Sequence, residues 1–213
     1  MSPHRIGVFG GTFDPIHFGH LQLAEQAIKE VKLSKLLFIP AAKPPHKNGI
    51  ITPIEHRIAM LELVCSQSKH FSCSSIEAEL PKPSYTVDTL VELIKRYPGD
   101  AELYFIIGGD AFLDLMTWKS YTEILSMVQI VVSPRIGYSN QRIYAFLDRI
   151  GYTEINRKWQ GEDGRKDIFL LSEPPQDVCS SKVKEVIAKG SDTTTILPEV
   201  IAGYINENSL YNL

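Results

Sequence analysis

Cysteine is scarce in this chain of 213 residues, and the three that occur, Cys65, Cys73 and Cys179, form no CxxC pair. An odd number of cysteines is unusual in disulfide-stapled secreted proteins and favours a reducing compartment. The start, MSPHRIGVFGG, lacks the apolar segment of a signal peptide. No apolar run approaches the roughly 20 residues of a membrane helix. We therefore expect a cytoplasmic protein without a membrane partner.

Neither sign of charge dominates, because 22 Lys and Arg residues stand against 25 Asp and Glu residues, for a formal net charge of −3. This balance argues against a nucleic-acid backbone as a partner. The sequence contains no internal repeat and no low-complexity tract. The length and the 44% apolar content therefore predict one globular domain over residues 1–213.

Short apolar runs alternate with helical patterns along the whole chain. We predict strands over 6–9, 36–39, 71–76, 103–107, 129–132 and 168–171. The alternation predicts an α/β fold, a Rossmann-like doubly wound parallel sheet with the C-terminal helices packed alongside. The polar stretch 156–167 is interpreted as an exposed loop.

Capping signals and apolar spacing predict where the helices lie. Thr52 is expected to cap a helix, because Pro53 suits the first helical position and Glu55 completes a capping box. Thr86 is expected to cap the next helix, which Pro98 and Gly99 close. The other helices are predicted over 21–31, 140–150, 180–188 and from 198 to about 206.

The stretch GGTFDPIHFGH, residues 10–20, joins the first predicted strand to the first predicted helix. In open α/β sheets, ligands bind outside the carboxyl ends of the strands. Gly10 and Gly11 let the backbone approach a ligand closely, and the free amides of a helix start attract anions. His17 and His20 stand three residues apart, so they share one face of a helical turn. Two imidazoles there can donate hydrogen bonds to phosphate oxygens.

Other interpretations of this stretch are weaker but remain open. Neither the GxGxxG dinucleotide fingerprint nor the GxxxxGK[ST] P-loop is present. The two histidines lack a nearby third His or Cys that would complete a zinc site. On spacing alone, a tight turn with two structural histidines also fits.

The pattern GGTFDPxHxGH resembles the signature of the nucleotidyltransferase superfamily, relatives of the class I aminoacyl-tRNA synthetases. The resemblance implies that His17 and His20 contact ATP phosphates and stabilise the transition state of adenylyl transfer. It also implies ATP binding by the neighbouring Gly10, Gly11, Thr12 and Phe13.

Three further segments resemble the nicotinate-mononucleotide adenylyltransferases of bacteria: PPHK at 44–47, SYTVDTL at 84–90, and GGD at 108–110 followed by Trp118. The resemblance implies that residues of these segments and of the later SPRIG segment bind nicotinate mononucleotide, namely His46, Lys47, Tyr85, Thr86, Asp110, Trp118 and Arg135. Without it, PPHK is typical of a solvated turn, and a lone tryptophan is typical of a core.

Two segments depart from the family pattern. VCSSKVK, residues 178–184, takes the place of an ISSTxIR-like helix start, with Ser180 and Ser181 retained for ATP phosphates. Lys184 replaces the expected arginine and supplies a point charge instead of a bidentate fork. In SPRIG, residues 133–137, Ile136 replaces the proline of the family's RPG loop.

The resemblance implies in-line attack of the mononucleotide phosphate on ATP, with Mg²⁺ carried by ATP and not by a protein cage. Three other functions remain open. They are pantetheine-phosphate adenylyltransferase activity, a preference for nicotinamide mononucleotide, and nucleotide binding without catalysis. A flavodoxin-like electron carrier would require bound flavin.

Overall fold

The computed structural model describes residues 4–42, 51–81, 83–97, 99, 101–135, 137 and 139–211. The strands found there are β1 (His4–Gly11), β2 (Lys35–Pro40), β3 (Phe71–Cys73), β4 (Ala101–Gly108), β5 (Gln129–Ser133), β6 (Tyr152–Ile155), β7 (Lys158–Gly161) and β8 (Ile168–Leu170). They form one sheet in the order β3-β2-β1-β4-β5-β8-β7-β6. The first six strands in this order pair in parallel, which makes five parallel pairs, and β7 is antiparallel to both of its neighbours.

The helices of the described residues are α1 (Phe18–Val31), α2 (Ile54–Cys65), α3 (Ile76–Glu79), α4 (Thr86–Arg96), α5 (Gly109–Leu113), α6 (Tyr121–Met127), α7 (Gln141–Arg149), α8 (Ser180–Ala188) and α9 (Glu199–Glu207). A short 3-10 helix, Leu115–Thr117, follows α5. Within the described ranges, no helix is long and apolar enough to cross a membrane.

Alternation along the central strands builds a core on each face of the sheet. In β4, Phe105 packs in one core cluster with residues of α4 to α7, while Ile106 packs in the other with residues of α1, α2, α8 and α9. The C-terminal helices α8 and α9 therefore pack on the same face of the sheet as α1 and α2, in agreement with the prediction that they lie alongside the sheet. Since β2 follows β1 on one side and β4 lies on the other, the strand order reverses between β1 and β4. A crevice at their carboxyl ends is the expected ligand site.

Four local predictions were wrong. The third strand stops at Cys73, and Ile76 begins α3 instead of ending the strand. The predicted loop 156–167 contains β7, whose Trp159 is 6% exposed. Helix α2 begins at Ile54 with Pro53 as its N-cap, and Thr52 does not cap it. Thr86 is the first residue of α4, and Tyr85 is its N-cap.

Candidate active site

The junction of β1 and α1 places the two predicted imidazoles together. The rings of His17 and His20 stack with 3.7 Å between their centroids and 24° between their planes. His17 is the N-cap residue of α1 and is 4% exposed. Its carbonyl oxygen accepts hydrogen bonds from the backbone N–H of His20 and of Leu21, so the helix start fixes the spacing of the two rings.

Phe13 supports this pair from the core side. Its side chain is 1% exposed, and its ring centroid lies 5.0 Å from that of His20 and 5.6 Å from that of Phe38. A Cβ added at Gly11 would lie 2.9 Å from the Phe13 ring, so only glycine fits there without displacement. The Phe13 side chain is therefore a packing element beneath His20, and the adjoining backbone faces the crevice.

A cavity of about 320 Å³ lies at the carboxyl ends of β1 and β4, beside the start of α4. It brings together Gly10, Gly11, Tyr85, Thr86 and Trp118, all of them predicted site residues. The indole packs edge-on against the Phe105 ring at its base, with 6.2 Å between ring centroids. The described lining of this cavity contains the two glycines but neither imidazole.

An ion pair connects the start of α4, which forms one wall of the cavity, to Lys119, the residue after Trp118. Lys119 Nζ lies 3.0 Å from both carboxylate oxygens of Asp88 and 4.6 Å from the centroid of the Tyr85 ring. Asp88 in turn accepts a hydrogen bond from the backbone N–H of Tyr85 at 3.3 Å. Sequence reasoning assigned no role to Lys119 or Asp88.

Asp110 and Arg135 form a bidentate ion pair at the ends of β4 and β5. Nε and Nη2 of Arg135 each donate to one carboxylate oxygen at 2.9 Å. Hydrogen bonding from Arg135 lowers the pKa of Asp110 against the opposing effect of burial. The pair borders a second cavity of about 420 Å³, together with Asn140 and Asp177. The structure thus separates Asp110 and Arg135 from the cavity lined by Trp118.

Asp14, inside the GGTFDPIHFGH stretch, is 1% exposed and joins distant parts of the chain. Lys184 of α8 forms an ion pair with Asp14 Oδ2, and the Tyr211 hydroxyl donates to Oδ1 at 2.8 Å. The backbone N–H of Thr52 donates to Oδ2 at 3.4 Å. Burial would raise the pKa of Asp14, but hydrogen bonds from Lys184, Thr52 and Tyr211 outweigh it, so the pKa lies below its ordinary value.

Helix α8 begins against the same turn. Ser180 Oγ donates to the carbonyl oxygen of Pro15 at 3.2 Å, while Ser181 is exposed in the first turn of the helix. Lys184, expected at the ATP phosphates, has its ammonium on Asp14 and 4.9 Å from the Tyr211 ring centroid. The start of α8 is therefore fixed to the loop that precedes the imidazoles.

Arg57 is a buried cation on α2 that sequence reasoning also missed. It is 2% exposed and donates to three backbone carbonyls, those of Thr12, Ala41 and Thr52, at 2.8 to 3.0 Å. Burial lowers the pKa of its guanidinium. The detectable signal was an arginine on the apolar face of a predicted helix, because such a residue needs buried acceptors.

His46, Lys47 and Ile136 lie outside the described residues. Among the residues that are described, no group of three or more His, Cys, Asp or Glu side chains could hold a metal ion.

Comparison of the sequence with known proteins shows the family to which the chain belongs. The sequence matches the cytidylyltransferase-like family over residues 8–186. A probable nicotinate-nucleotide adenylyltransferase of Desulfotalea psychrophila is 41% identical over 210 residues, which cover 97% of this chain and 99% of that protein. The protein of the same name from a Thermoanaerobacter species is 38% identical over 208 residues, or 97% and 94% of the two chains.

Solved structures agree in fold. The Plasmodium falciparum nicotinic acid mononucleotide adenylyltransferase complexed with NaAD has a TM-score of 0.76 at 17% identity, and the match covers 97% of each chain. The chain belongs to the cytidylyltransferase-like family and, within it, to the nicotinate-nucleotide adenylyltransferases.

Proposed function

We propose that this chain transfers the adenylyl group of ATP to nicotinate mononucleotide, giving nicotinate adenine dinucleotide and pyrophosphate in NAD biosynthesis. The observation that carries the proposal is the stacked pair of His17 and His20 at the β1–α1 junction, beside the point where the strand order reverses. Full-length relatives with this activity in their names support it. We further propose that residues 1–213 form one nucleotidyltransferase domain and that the protein is cytoplasmic.

The reaction requires positioning and charge stabilisation. A phosphate oxygen of the mononucleotide attacks the α-phosphorus of ATP in line, a new P–O bond forms, and the bond to the leaving pyrophosphate breaks. Since the attacking phosphate is already ionised at neutral pH, no general base is needed. The imidazoles of His17 and His20 donate hydrogen bonds to the phosphate oxygens on which charge develops, and the burial of His17 strengthens its bond.

The remaining residues divide between the two nucleotides. For ATP we propose the backbone of the 10–13 loop and the start of α8, namely Gly10, Gly11, Thr12, Phe13, Ser180, Ser181 and Lys184. For nicotinate mononucleotide we propose His46, Lys47, Tyr85, Thr86, Asp110, Trp118 and Arg135, with the indole stacked on the pyridine ring. Mg²⁺ arrives bound to the triphosphate, as the ligand preferences of this ion allow.

Pyrophosphate release tests the proposal. The His20→Ala variant should lower kcat by about 10²–10³, the effect of losing one donor to transition-state charge. His4→Ala is the matched control, because His4 is exposed at the start of β1, at the opposite end of that strand from the turn that leads to the imidazoles, and its loss should leave kcat unchanged. Urea unfolding must be similar for both variants. A His20→Ala enzyme within twofold of the parent, or ATP binding without pyrophosphate release, contradicts the proposal.

A further inference from the structure

The cavity that contains Trp118 carries one charge of each sign among its described lining residues, Glu77 and Lys119. Glu77 already accepts hydrogen bonds at both oxygens: Thr89 Oγ1 donates to one at 3.1 Å, and Ser84 Oγ and the Ala42 N–H donate to the other at 3.3 Å. It therefore serves to fix the cavity wall, and it repels any anion that enters.

Lys119 is held differently. The Lys119 ammonium donates to both carboxylate oxygens of Asp88 at 3.0 Å. An ammonium has three N–H donors. Among the described residues the bonds to Asp88 are its hydrogen-bond contacts, which leaves one donor for an acceptor in the cavity. The position of the ammonium is set by Asp88 and by the Tyr85 ring, 4.6 Å away, so the charge lies beside the first turn of α4.

The two mononucleotides of interest differ at one substituent of the pyridine ring. The acid form carries a carboxylate and the amide form an uncharged carboxamide of nearly the same shape. Both substituents carry an oxygen that can accept a hydrogen bond from a backbone N–H, so backbone donors alone discriminate weakly between them. A fixed positive charge beside the ring favours only the carboxylate, and it offsets the repulsion from Glu77.

We propose that Lys119 sets the preference for the acid mononucleotide over the amide, and that Asp88 positions the Lys119 ammonium for this task. The inference rests on the proposed function and adds a specificity-determining residue to it. A purely structural role makes a different prediction. If Lys119 only holds the start of α4 against the chain next to Trp118, its loss widens the cavity and lowers kcat/KM equally for both mononucleotides.

The test is kcat/KM for ATP with the acid and with the amide mononucleotide, measured for matched variants. Lys119→Met should lower the acid-to-amide ratio about fivefold, the effect of one partly exposed charge pair, while Lys119→Arg should retain most of it. Asp88→Asn keeps one oxygen acceptor to position the Lys119 ammonium but removes the neutralising charge, so the ratio should stay at or above that of the parent, whereas Asp88→Ala removes the acceptor as well and should lower the ratio. The parent's ratio should fall as ionic strength rises, because salt screens exposed charges.

Lys95→Met is the control, since Lys95 is an exposed lysine in an ion pair with Glu92 at the other end of α4, and its loss should leave the ratio unchanged. An equal loss with both substrates, an unchanged ratio in Lys119→Met, or a parent that prefers the amide would overturn the inference. A parent that releases no pyrophosphate with either mononucleotide would instead refute the proposed function.

Discussion

The ion pair between Asp14 and Lys184 gives a quantitative prediction for stability. Removing one partner of a buried pair typically costs about 3–5 kcal/mol. The Lys184 side chain is 31% exposed, and Asp14 would keep its bonds from Tyr211 and Thr52. We therefore expect Lys184→Met to lower the free energy of unfolding by about 2–3 kcal/mol, less than for full burial. Asp14→Asn should cost about 2 kcal/mol, because a neutral amide then faces the ammonium.

The double variant separates pairing from unrelated damage. If the two side chains act as a pair, the combined loss should fall short of the sum of the single losses by about 1–2 kcal/mol. Urea unfolding followed by tryptophan fluorescence and by circular dichroism measures all three variants. Lys189→Met is the control at the far end of α8, where the pair with Glu185 is exposed and its loss should cost less than about 0.5 kcal/mol. Strict additivity would refute the pairing.

The same pair predicts a pH dependence with a defined sign. The pKa of Asp14 in the folded protein lies below its ordinary value of 3.8, so its ionised form stabilises the fold at neutral pH. That contribution is lost as the pH falls from about 4 through the folded-state pKa. The difference in unfolding free energy between the parent and Lys184→Met should therefore shrink below about pH 4. A difference that is constant from pH 7 to pH 3 would show that Lys184 acts through packing instead.

Two further variants test parts of the site. Arg57→Met removes the donor of three carbonyls, one buried and two partly buried, and should lower the free energy of unfolding in urea by about 3–4 kcal/mol. A loss below about 1 kcal/mol would mean that water replaces the guanidinium. Asp110→Asn should change that free energy by less than about 0.5 kcal/mol, because the pair with Arg135 is half exposed, while raising the KM for nicotinate mononucleotide. A rise confined to the KM for ATP would assign the cavity beside Asp110 and Arg135 to ATP instead.

All six predicted strands are present because each buried strand of a parallel sheet is a run of apolar β-forming residues. The strands β6 and β7 lack this signal. In β7, Trp159 is the only buried residue of a segment that is otherwise polar, and the strand pairs at the antiparallel end of the sheet, next to the edge strand β6. One aromatic side chain between polar neighbours does not distinguish such a strand from a loop.

The helix starts were misplaced by one residue for a related reason. Capping depends on which local hydrogen bonds the backbone makes, and residues on either side of the start offer similar ones. At Thr52, the backbone is engaged elsewhere: its N–H donates to Asp14 and its carbonyl accepts from Arg57. Contacts with residues outside the cap thus influence which residue caps the helix, and a local sequence pattern does not predict them.

In the candidate site, too, contacts between residues close in sequence were predictable and contacts between distant residues were not. The imidazole pair was predictable because His17 is the N-cap of α1 and His20 lies in its first turn, so the short spacing brings the two rings together. The partners of Asp14 lie 170 and 197 residues away in sequence, at Lys184 and Tyr211, and spacing carries no information about such contacts. The separation of Asp110 from Trp118 into different cavities likewise depends on how α5 and the 3-10 helix turn away from β4.

These distant contacts converge on the few residues before the imidazoles, and this has a consequence for catalysis. Arg57 holds the carbonyl of Thr12, Lys184 and Tyr211 hold the carboxylate of Asp14, and Ser180 holds the carbonyl of Pro15. Donors that stabilise developing charge must be in place before the reaction, since reorienting them during it costs free energy. Four side chains from three distant segments contact this turn, and His17 follows two residues after Pro15. Variants of these side chains should therefore affect kcat through the placement of the imidazoles, even where the side chain never meets a nucleotide.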